Sequence, residues 1–154
     1  MTDIEVRTPA PDDWELLRDL RLEALRDSPE AFSSSVSRET AFEESLWRSR
    51  TPTAGVAFRD GEPVGLVGWH RPDDAEHFEL VSMWVRADAR GSDVATRLVE
   101  FVVLAVSGAP LALGVVRDND RAHAFYTRVG FVDDGAEIGA VTGQDLIRMR
   151  YDTR

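Results

Sequence analysis

A glycine-bearing loop between a strand and a helix is the segment of this sequence best suited to binding an anion. In SMWVRADARGSDVATRLV a strand ends near Arg86, Gly91 follows, and a helical pattern then begins. Glycine lets the backbone approach a ligand closely, and the free amide groups at a helix start attract negative charge. Arg90 and Arg97 add positive charge. Loops with one glycine are common, so the pattern alone fits a plain connection equally well.

Two residue types are missing, and their absence removes several chemistries. All 18 basic residues are arginine, and the sequence contains no cysteine. It therefore offers no phosphate-loop lysine, no Schiff base, no thiol nucleophile, no thiolate metal site and no disulfide. Carboxylate, imidazole, hydroxyl and backbone groups remain. His70, Asp73, Asp74 and His77 offer metal-binding atoms, but their spacing matches no zinc motif and suits a turn, so we expect no metal.

The charge balance argues against polyanionic partners. The chain carries 28 acidic and 18 basic residues, a net charge of -10. Nucleic acid and anionic lipid require clustered cations, so we expect neither as a partner. The longest apolar run, Phe101–Val106, is too short to span a bilayer, and MTDIEVRTP has no apolar core, which favours a cytoplasmic protein. The length and the 43% hydrophobic content predict a single domain over residues 1–154.

The elements that must position these groups begin with a strand and two helices. Ile4–Arg7 alternates as a strand, and apolar residues at helical spacing predict a helix from about Pro11 to Arg26. A second helix is predicted near Glu39 to Arg50. TAGVAFRDGEPVGLVGW predicts two antiparallel strands joined at Asp60 and Gly61, a pair typical of a tight hairpin turn.

The second half of the chain alternates in the same way. His77–Val85 is apolar enough for a central strand, and a helix is predicted from about Ser92 to Val106. GAPLALGVV predicts another strand and Asn119–Val129 a short helix. FVDDGAEI and DLIRMRY predict two closing strands separated by the linker GAVTGQ, with Asp133 and Asp134 in a solvated turn. This order indicates a mixed α/β domain.

A second motif follows the glycine loop. In NDRAHAFYTRVGF, Asn is followed after two residues by Ala, after two more by an apolar residue and Tyr, and after three more by Gly-Phe. The matching residues are Asn119, Ala122, Phe125, Tyr126, Gly130 and Phe131. Together with the ARG loop and the preceding MWV strand, this segment resembles the GNAT superfamily of N-acetyltransferases. The resemblance covers nearly the whole chain in the order of its elements.

The resemblance implies a fold and a co-substrate. The fold is a mixed, mainly antiparallel central sheet of about seven strands with about four helices, splayed between strands four and five. The co-substrate is acetyl-CoA, with its pyrophosphate on backbone amides of the glycine loop, its pantetheine along the fourth strand, and its sulfur near the second motif. The implied cofactor-binding residues are Met83, Trp84, Val85, Arg90, Gly91, Ser92, Asp93, Val94, Ala95, Thr96, Asn119, Ala122 and Tyr126.

Two positions depart from the family pattern, because Asp93 replaces a usual glycine and Ala87 a usual proline. A carboxylate about 4 Å from a phosphate costs roughly 1 kcal/mol even in water, so Asp93 is expected to weaken CoA binding if it lies in the anion site. If Asp93 caps the helix, its side chain occupies the anion site itself. The alternative is an outward-pointing Asp93 that does no harm.

The resemblance also implies the catalytic groups. Tyr126 stands where the family often has the general acid, and a phenol with its ordinary pKa of about 10 can protonate a thiolate. Glu79 resembles a glutamate that some members use as a base, directly or through water. We expect it to share a strand face with Val81 and Met83. An acid at the solvated mouth of the sheet explains Glu79 equally well.

The resemblance implies that the acceptor binds between residues 26–42, including SPEAF, and the hairpin near residues 139–144, with Phe32 and Phe42 as walls. The net charge favours a cationic acceptor. The predicted function is N-acetyl transfer from acetyl-CoA to a primary amine of a small molecule or peptide by direct attack in a ternary complex. A catalytically weak CoA-binding or regulatory module is the alternative, and a protein acetylase is a third. The resemblance also admits a homodimer.

Overall fold

A seven-stranded mixed sheet organises the chain. The computed structural model describes residues 3–29, 32, 34–73, 75–141 and 144–152. In chain order the strands and α-helices of these residues are β1 (Ile4–Arg7), α1 (Trp14–Asp27), α2 (Val36–Thr40), α3 (Glu44–Arg50), β2 (Ala54–Arg59), β3 (Glu62–His70), β4 (Phe78–Val85), α4 (Val94–Ala105), β5 (Leu111–Val116), α5 (Asp120–Arg128), β6 (Phe131–Val141) and β7 (Gln144–Tyr151).

The strands lie in the order β1-β2-β3-β4-β5-β7-β6, which places β4 at the centre as predicted. Every neighbouring pair is antiparallel except β4 and β5, which α4 connects in parallel. The hairpin between β2 and β3 turns at Asp60 (φ 51°) and Gly61 (φ 87°), two left-handed residues that match the twist of the flanking strands. The mixed, mainly antiparallel fold predicted from the sequence is confirmed.

Helices cover both faces of the sheet. On one face α1 buries Leu17, Leu20 and Ala24 against β2, β3 and the Trp84 ring. On the other face α4 buries Val94 and Leu98 in a larger cluster that also holds residues of β3, β5, α5 and β7. We call these the α1 face and the α4 face. Gly65 lets α4 pack closely, since a Cβ there would lie 3.2 Å from side-chain atoms of both Val94 and Leu98.

The predicted helix near Glu39 to Arg50 is wrong as one element, because the structure has α2 and α3 there. Ser35 begins α2 earlier than expected, since its Oγ accepts a hydrogen bond from the Arg38 N–H. The chain then turns between the two helices, where the Phe42 N–H bonds the Glu39 carbonyl. This split gives five α-helices in the part of the chain that the structure describes, where about four helices were expected.

The acid pair Asp133 and Asp134 lies inside β6, so the prediction of a solvated turn is wrong there. Asp133 accepts a hydrogen bond from His123 of α5 at 2.6 Å, and Asp134 accepts one from Arg148 of β7 at 2.8 Å. The linker GAVTGQ is also shorter than expected, because strand structure extends to Val141 and resumes at Gln144. Thr142 and Gly143, predicted as part of the acceptor hairpin, lie outside the described residues, as do Glu30, Ala31 and Ser33 of the acceptor loop.

None of the helices in the described part of the chain combines the length and the apolar composition that crossing a bilayer requires.

Candidate functional site

A gap opens in the middle of the sheet between β4 and β5. The two strands pair only at Phe78 with Leu111 and at Glu79 with Ala112. Beyond these positions the strands carry no cross-pairing, although β4 continues to Val85 and β5 to Val116. The N–H and C=O groups that face the gap therefore have no hydrogen-bond partner in the neighbouring strand. Buried peptide groups require hydrogen-bond partners, so these groups suit an extended ligand that lies in the gap.

A bulge in β4 lies beside this gap. The register of β3 against β4 shifts between Leu66 and Gly68, so that one residue, Val67, opposes two residues, Ser82 and Met83. Ser82 has a φ of 61°, a left-handed conformation that is costly for a residue with a side chain. The bulge reorients the backbone of β4 at the level where the sheet opens.

The bulge also changes which residues of β4 share a face. Met83 packs with Leu80 in the cluster on the α4 face, whereas Val81 and Ser82 line a cavity on the α1 face. The expectation that Glu79 shares a face with both Val81 and Met83 is therefore wrong for Met83. Strict alternation fails because an extra residue reverses the side-chain order after the bulge.

The start of α4 presents free amide groups, as the glycine loop predicted. The helix's first internal bond runs from the Arg97 N–H to the Asp93 carbonyl at 3.0 Å. The amides of Val94, Ala95 and Thr96 therefore have no partner within the helix. Such a terminus carries a partial positive charge that suits an anion.

Gly91 and Ser92 shape the loop in front of these amides. Gly91 has a φ of 80°, and a Cβ added there would meet nothing within 4 Å, so the space above the loop is open. The Ser92 hydroxyl donates to the Ala89 carbonyl and closes the turn after the short helix Ala87–Ala89. The loop is thus exposed on its outer side and tied down on its inner side.

Arg90 is committed to the protein rather than free for a ligand. Its Nε donates to the Val85 carbonyl at 2.9 Å, and its Nη2 donates to the Asp27 carboxylate at 2.6 Å. The same carboxylate accepts from Trp84 Nε1 at 3.0 Å and from the Ser28 hydroxyl at 2.8 Å. These bonds, led by the one from Trp84, lower the pKa of Asp27 to about 2. They fix the end of α1 to the end of β4 and to the loop.

Asp93 stands directly before α4, but its side chain forms no capping hydrogen bond. The capping interpretation of Asp93 is therefore wrong. The backbone of Asp93 has the αR conformation (φ -74°, ψ -6°) rather than the extended conformation of a capping aspartate. The exposed Asp93 instead borders a surface groove between α4 and β1 that Val6, Arg97 and Glu100 also line.

The second motif forms α5 and its two ends. The Asn119 Oδ1 accepts a hydrogen bond from the Ala122 N–H at 3.1 Å and so caps the helix. Tyr126 lies about two helical turns after Asn119, and 9% of its surface is exposed. Its ring contacts Phe125 and Phe131 at centroid distances of 5.2 and 5.7 Å. Burial raises the pKa of the Tyr126 phenol well above its ordinary value.

Glu79 lies on β4, and its carboxylate is surrounded by side chains of β3, of β7 and of the turn before β4. Its carboxylate is 3.6 Å from Arg148 Nη1 of β7, 3.5 Å from His77 Nε2 and 3.9 Å from His70 Nε2 of β3. The side chain is 31% exposed, so it is neither fully buried nor free in water. His70 and His77, considered above as metal ligands, both border this carboxylate, while Asp74 lies outside the described residues.

A cavity of about 330 Å³ lies on the α1 face beside the bulge. Its walls come from α1, α3 and strands β2, β3 and β4. It is lined by Leu17, Arg21, Trp47, Arg50, Thr53, Ala54, Leu66, Val67, Gly68, Trp69, His70, Val81 and Ser82. The volume falls in the range of small-molecule pockets. His70 is thus shared between the cavity and the surroundings of Glu79.

A charged cluster of Arg21, Glu39 and Arg50 lies at this cavity, and the sequence did not predict it. Glu39 is 1% exposed and receives two bonds from Arg21, from Nε to Oε1 at 3.0 Å and from Nη2 to Oε2 at 2.9 Å. Arg50 Nη1 donates to Oε1 at 3.4 Å, and Arg21 Nη1 donates to the Ser82 Oγ at 3.2 Å. Burial opposes the ionisation of Glu39, but these bonds and charges, with one from Ser34, outweigh it and lower the pKa of Glu39.

One signal in the sequence could have indicated this cluster. Phe42 and Leu46 follow Glu39 at helical spacing, which places a carboxylate on an apolar stripe. A carboxylate in such a place is rarely buried without a cationic partner. The identity of that partner depends on tertiary packing and is not contained in the pattern.

Comparison with protein families gives a match over most of the chain. The model of the acetyltransferase (GNAT) family matches residues 14–131. This range includes the glycine loop, the bulge, the Arg21–Glu39–Arg50 cluster and the second motif up to Phe131.

A curated relative from Pseudomonas phage PaMx11 is named 5-NmdU N-acetyltransferase. It is 30% identical over 84 residues, which are 54% of this chain and 60% of the relative. The chain thus matches less than two thirds of that protein's length.

Solved structures share the fold at low identity. One is yncA from Salmonella typhimurium with its cofactor acetyl-CoA, which has a TM-score of 0.74 and 13% identity, over 99% of this chain and 95% of that one. Another is Naa50 from Arabidopsis thaliana in complex with the bisubstrate analogue CoA-Ac-MVNAL. It has a TM-score of 0.69 and 14% identity, over 97% and 98% of the two chains.

Proposed function

The chain belongs to the GNAT acetyltransferase family, and on that premise we propose that it transfers an acetyl group from acetyl-CoA to a primary amine. The acceptor is a small molecule or peptide, and the attack is direct, in a ternary complex. The name of the phage relative supports nitrogen as the accepting atom. The ligands of the two solved structures support acetyl-CoA as the co-substrate. Residues 1–154 act as a single domain.

The residues present fit acetyl-CoA. Backbone amides of Gly91 and of residues 92–96 hold the pyrophosphate, because those of Val94, Ala95 and Thr96 have no partner within α4 and the space above Gly91 is open. The backbone of residues 83–85 holds the pantetheine arm along the gap beside β5. Asn119 and Ala122 position α5 at the sulfur end. When bound, acetyl-CoA supplies a thioester that the neutral amine attacks.

Arg90 contributes to this site by holding the loop rather than by touching the co-substrate. Its bonds to Val85 and Asp27 fix the loop's inner side, so that the outer amides keep their direction. Trp84 acts similarly, since its ring is buried on the α1 face and its indole N–H is bonded to Asp27. Only backbone groups of Trp84 face the gap in this proposal.

Glu79 and His70 remove the proton that the amine must lose. His70 lines the cavity and lies 3.9 Å from Glu79, whereas Glu79 itself does not line the cavity. We therefore assign Glu79 the role of drawing the proton through His70 or an intervening water. An imidazole nitrogen is a suitable first proton acceptor.

Tyr126 supplies a proton to the leaving thiolate. Its phenol remains protonated throughout the usual pH range because burial raises its pKa. Met83 of the bulge packs against the same apolar cluster that contains Tyr126, which is consistent with a shared position on the α4 face. The net reaction converts amine and thioester into amide and free thiol, with one proton leaving the nitrogen and one reaching the sulfur.

The observation that carries the proposal is the combination of the gap, the bulge at Ser82 and the cavity that Ser82 lines. This combination supports the proposal, because the strand that we assign to the thioester arm contributes Ser82 to the cavity that we assign to the amine. The test is release of CoA thiol from acetyl-CoA in the presence of a panel of primary amines, with mass spectrometry of the products. A thiol reagent gives no protein background, since the chain has no cysteine. If no amine raises thiol release above hydrolysis, the proposal is wrong.

A CoA-binding module with weak catalysis is a second candidate, favoured by the Asp93 carboxylate at the start of α4. In that case Asp93→Gly should increase the rise in melting temperature that acetyl-CoA produces, because a like charge beside the pyrophosphate is removed. Glu100→Gln is the control, since Glu100 borders the same groove farther along α4. Full turnover by the wild-type protein, with no gain in Asp93→Gly, rejects this candidate.

A further inference from the structure

The Arg21–Glu39–Arg50 cluster carries more positive than negative charge. Two guanidinium groups face one carboxylate, and both arginines line the cavity beside Ser82. The chain as a whole has a net charge of -10, so this excess is local and opposite to the overall balance. A cation without a full partner in a partly dry site is unfavourable, and an anion that enters the cavity relieves it.

Arg21 is largely occupied by the protein. Its side chain is 11% exposed, and three of its N–H groups bond Glu39 and Ser82. Its guanidinium also lies 4.6 Å from the centre of the Phe32 ring. Arg21 therefore works as a fixed positive wall whose charge Glu39 largely neutralises.

Arg50 is the cation that remains for a ligand. It makes one long bond to Glu39, at 3.4 Å, and its other N–H groups have no hydrogen-bond partner among the described residues. Its guanidinium is held over the rings of Phe42 and Trp47, at 4.9 and 5.2 Å from the ring centres. Desolvation lowers the pKa of Arg50, and Glu39 only partly offsets this effect. The group is thus oriented in advance, half-buried and incompletely paired.

We propose that the acceptor amine of this enzyme is carried on a small molecule that also bears a carboxylate, and that Arg50, backed by Arg21, binds this carboxylate in the cavity. The inference rests on the proposed N-acetyl transfer. The planar guanidinium matches a carboxylate in a two-bond arrangement. The amine then lies toward Ser82, where β4 bulges beyond its last pair with β5, and His70 lines the same cavity opposite Glu79.

The remaining walls set the kind of molecule. Leu17, Trp47, Leu66 and Val81 make them mainly apolar, and the volume of about 330 Å³ limits the size. An amino acid with an apolar side chain satisfies all three conditions of charge, size and wall chemistry. The net charge of the chain favoured a cationic acceptor, whereas the charges in the cavity favour a zwitterionic acceptor.

The first experiment compares matched acceptors on the wild-type enzyme. L-Leucine is compared with 3-methylbutylamine and L-leucinamide, and 4-aminobutyrate with propylamine, by thiol release and product mass. We expect kcat/KM to be at least about tenfold higher for the carboxylate-bearing member of at least one pair, because a site built to bind a polar group discriminates against an analogue without it. Equal or better turnover of the neutral-tailed amines overturns the inference and leaves the proposed function standing.

The second experiment uses Arg50→Gln, with Arg48→Gln as the control. Arg48 lies on the same helix but is bonded to Asp12 and Glu44 at the surface. We expect Arg50→Gln to reduce the carboxylate preference to less than about threefold, while Arg48→Gln keeps it. A preference that survives in a folded Arg50→Gln protein overturns the inference. If that variant does not fold, the comparison of acceptors on the wild-type enzyme still decides.

A binding measurement separates this inference from the proposed function. Isothermal titration of the wild-type protein compares N-acetyl-L-leucine with N-acetyl-3-methylbutylamine. If only N-acetyl-L-leucine binds, and Arg50→Gln abolishes this binding, the carboxylate site is supported even when no amine is acetylated. In that case only the proposed function is wrong. If neither compound binds and turnover shows no carboxylate preference, the inference is wrong.

Discussion

At the scale of single residues, the environment of Tyr126 suits a proton donor more than a nucleophile. The ring is buried among Phe125 and Phe131, and the hydroxyl is the polar atom of an otherwise apolar side chain. Because burial raises its pKa, the phenol keeps its proton at every pH at which the protein is usually assayed. Burial therefore keeps the proton available but also makes the phenol a weaker acid than the tyrosine with an ordinary pKa that the sequence led us to expect. In our proposal the transfer therefore depends on direct contact between the phenol and the developing thiolate.

Removal of this hydroxyl gives the first prediction. Tyr126→Phe should lower kcat by about 100-fold, the typical range for a lost general acid, with little change in melting temperature. Steady-state kinetics with saturating acetyl-CoA and a thermal melt measure both quantities. Tyr151→Phe is the matched control, since Tyr151 contacts Phe131 in the same aromatic group. Turnover of Tyr126→Phe at the wild-type rate would show that another group protonates the thiol.

The Glu79 carboxylate gives the second prediction. Glu79→Gln keeps the shape of the side chain but removes the negative charge beside His70, so kcat/KM should fall by about tenfold or more and its dependence on pH should change. A pH profile of kcat/KM measures the effect, with Glu76→Gln as the control because Glu76 is exposed in the preceding turn. A profile with unchanged shape and height would leave Glu79 as an ion-pair partner of Arg148 only.

The residues that local sequence could indicate differ in kind from those it could not. Asn119, Ala122 and Tyr126 lie within one turn-and-helix motif, where spacing along the chain fixes their relation. Arg21, Glu39 and Arg50 come from three helices and meet only after α1, α2 and α3 have packed. Local sequence placed Arg90 and Asp93 at the loop before α4, but it did not specify that Arg90 bonds Asp27 at the end of α1 or that the backbone angles of Asp93 leave it without a capping bond.

At the scale of elements, periodicity predicted most strands and helices because their apolar residues face one side. It placed β1, β5 and the hairpin of β2 and β3 well, and it identified β4 as the central strand. It missed the bulge at Ser82, since a bulge leaves the residue types of a strand unchanged. It also missed the break between α2 and α3, which follows from the capping bond at Ser35 and from the turn at Phe42.

The tie between α1 and the loop gives the third prediction. The pKa of Asp27 is about 2 in the folded protein against an ordinary value of 3.8. Its bonds therefore stabilise the folded state at every pH above 3.8, and this contribution to stability is lost as the pH falls from 3.8 toward 2. The difference in melting temperature between wild type and Asp27→Asn should therefore be constant above about pH 5 and shrink below pH 4. Asp19→Asn, at an exposed position of the same helix, is the control. A difference that is independent of pH down to 2 would contradict this assignment.

The bonds of Asp27 should affect acetyl-CoA binding more than acceptor binding, since they connect α1 to the loop before α4 and not to the wall of the cavity. Asp27 contacts Trp84 and Arg90, whereas neither Asp27 nor Arg90 lines the cavity. In Asp27→Asn, KM for acetyl-CoA is thus the parameter expected to rise. This separation follows from the architecture, because α1 contributes Arg21 to the cavity in its middle and Asp27 to the loop at its end.

At the scale of the whole molecule, overall charge and local charge act in opposite directions. In a chain of net charge -10, the two anion sites that we propose, at the amide groups at the start of α4 and at the guanidinium of Arg50, carry local positive charge. Composition reports only the sum, which is why it favoured a cationic acceptor. The sum governs long-range approach, and the local groups govern binding once the ligand has arrived.

Salt should separate these two effects and gives the last prediction. At an ionic strength of about 0.01 M the Debye length is roughly 30 Å, so acetyl-CoA, an anion, meets the repulsion of the whole acidic surface, whereas at about 0.15 M the length falls to roughly 8 Å. Raising the salt concentration between these values should therefore increase kcat/KM for acetyl-CoA by a few-fold. Acetylpantetheine, a thioester without phosphates, is the control and should respond little. A decrease with salt for acetyl-CoA alone would show instead that the positive field at the start of α4 outweighs the net charge of the chain even at long range.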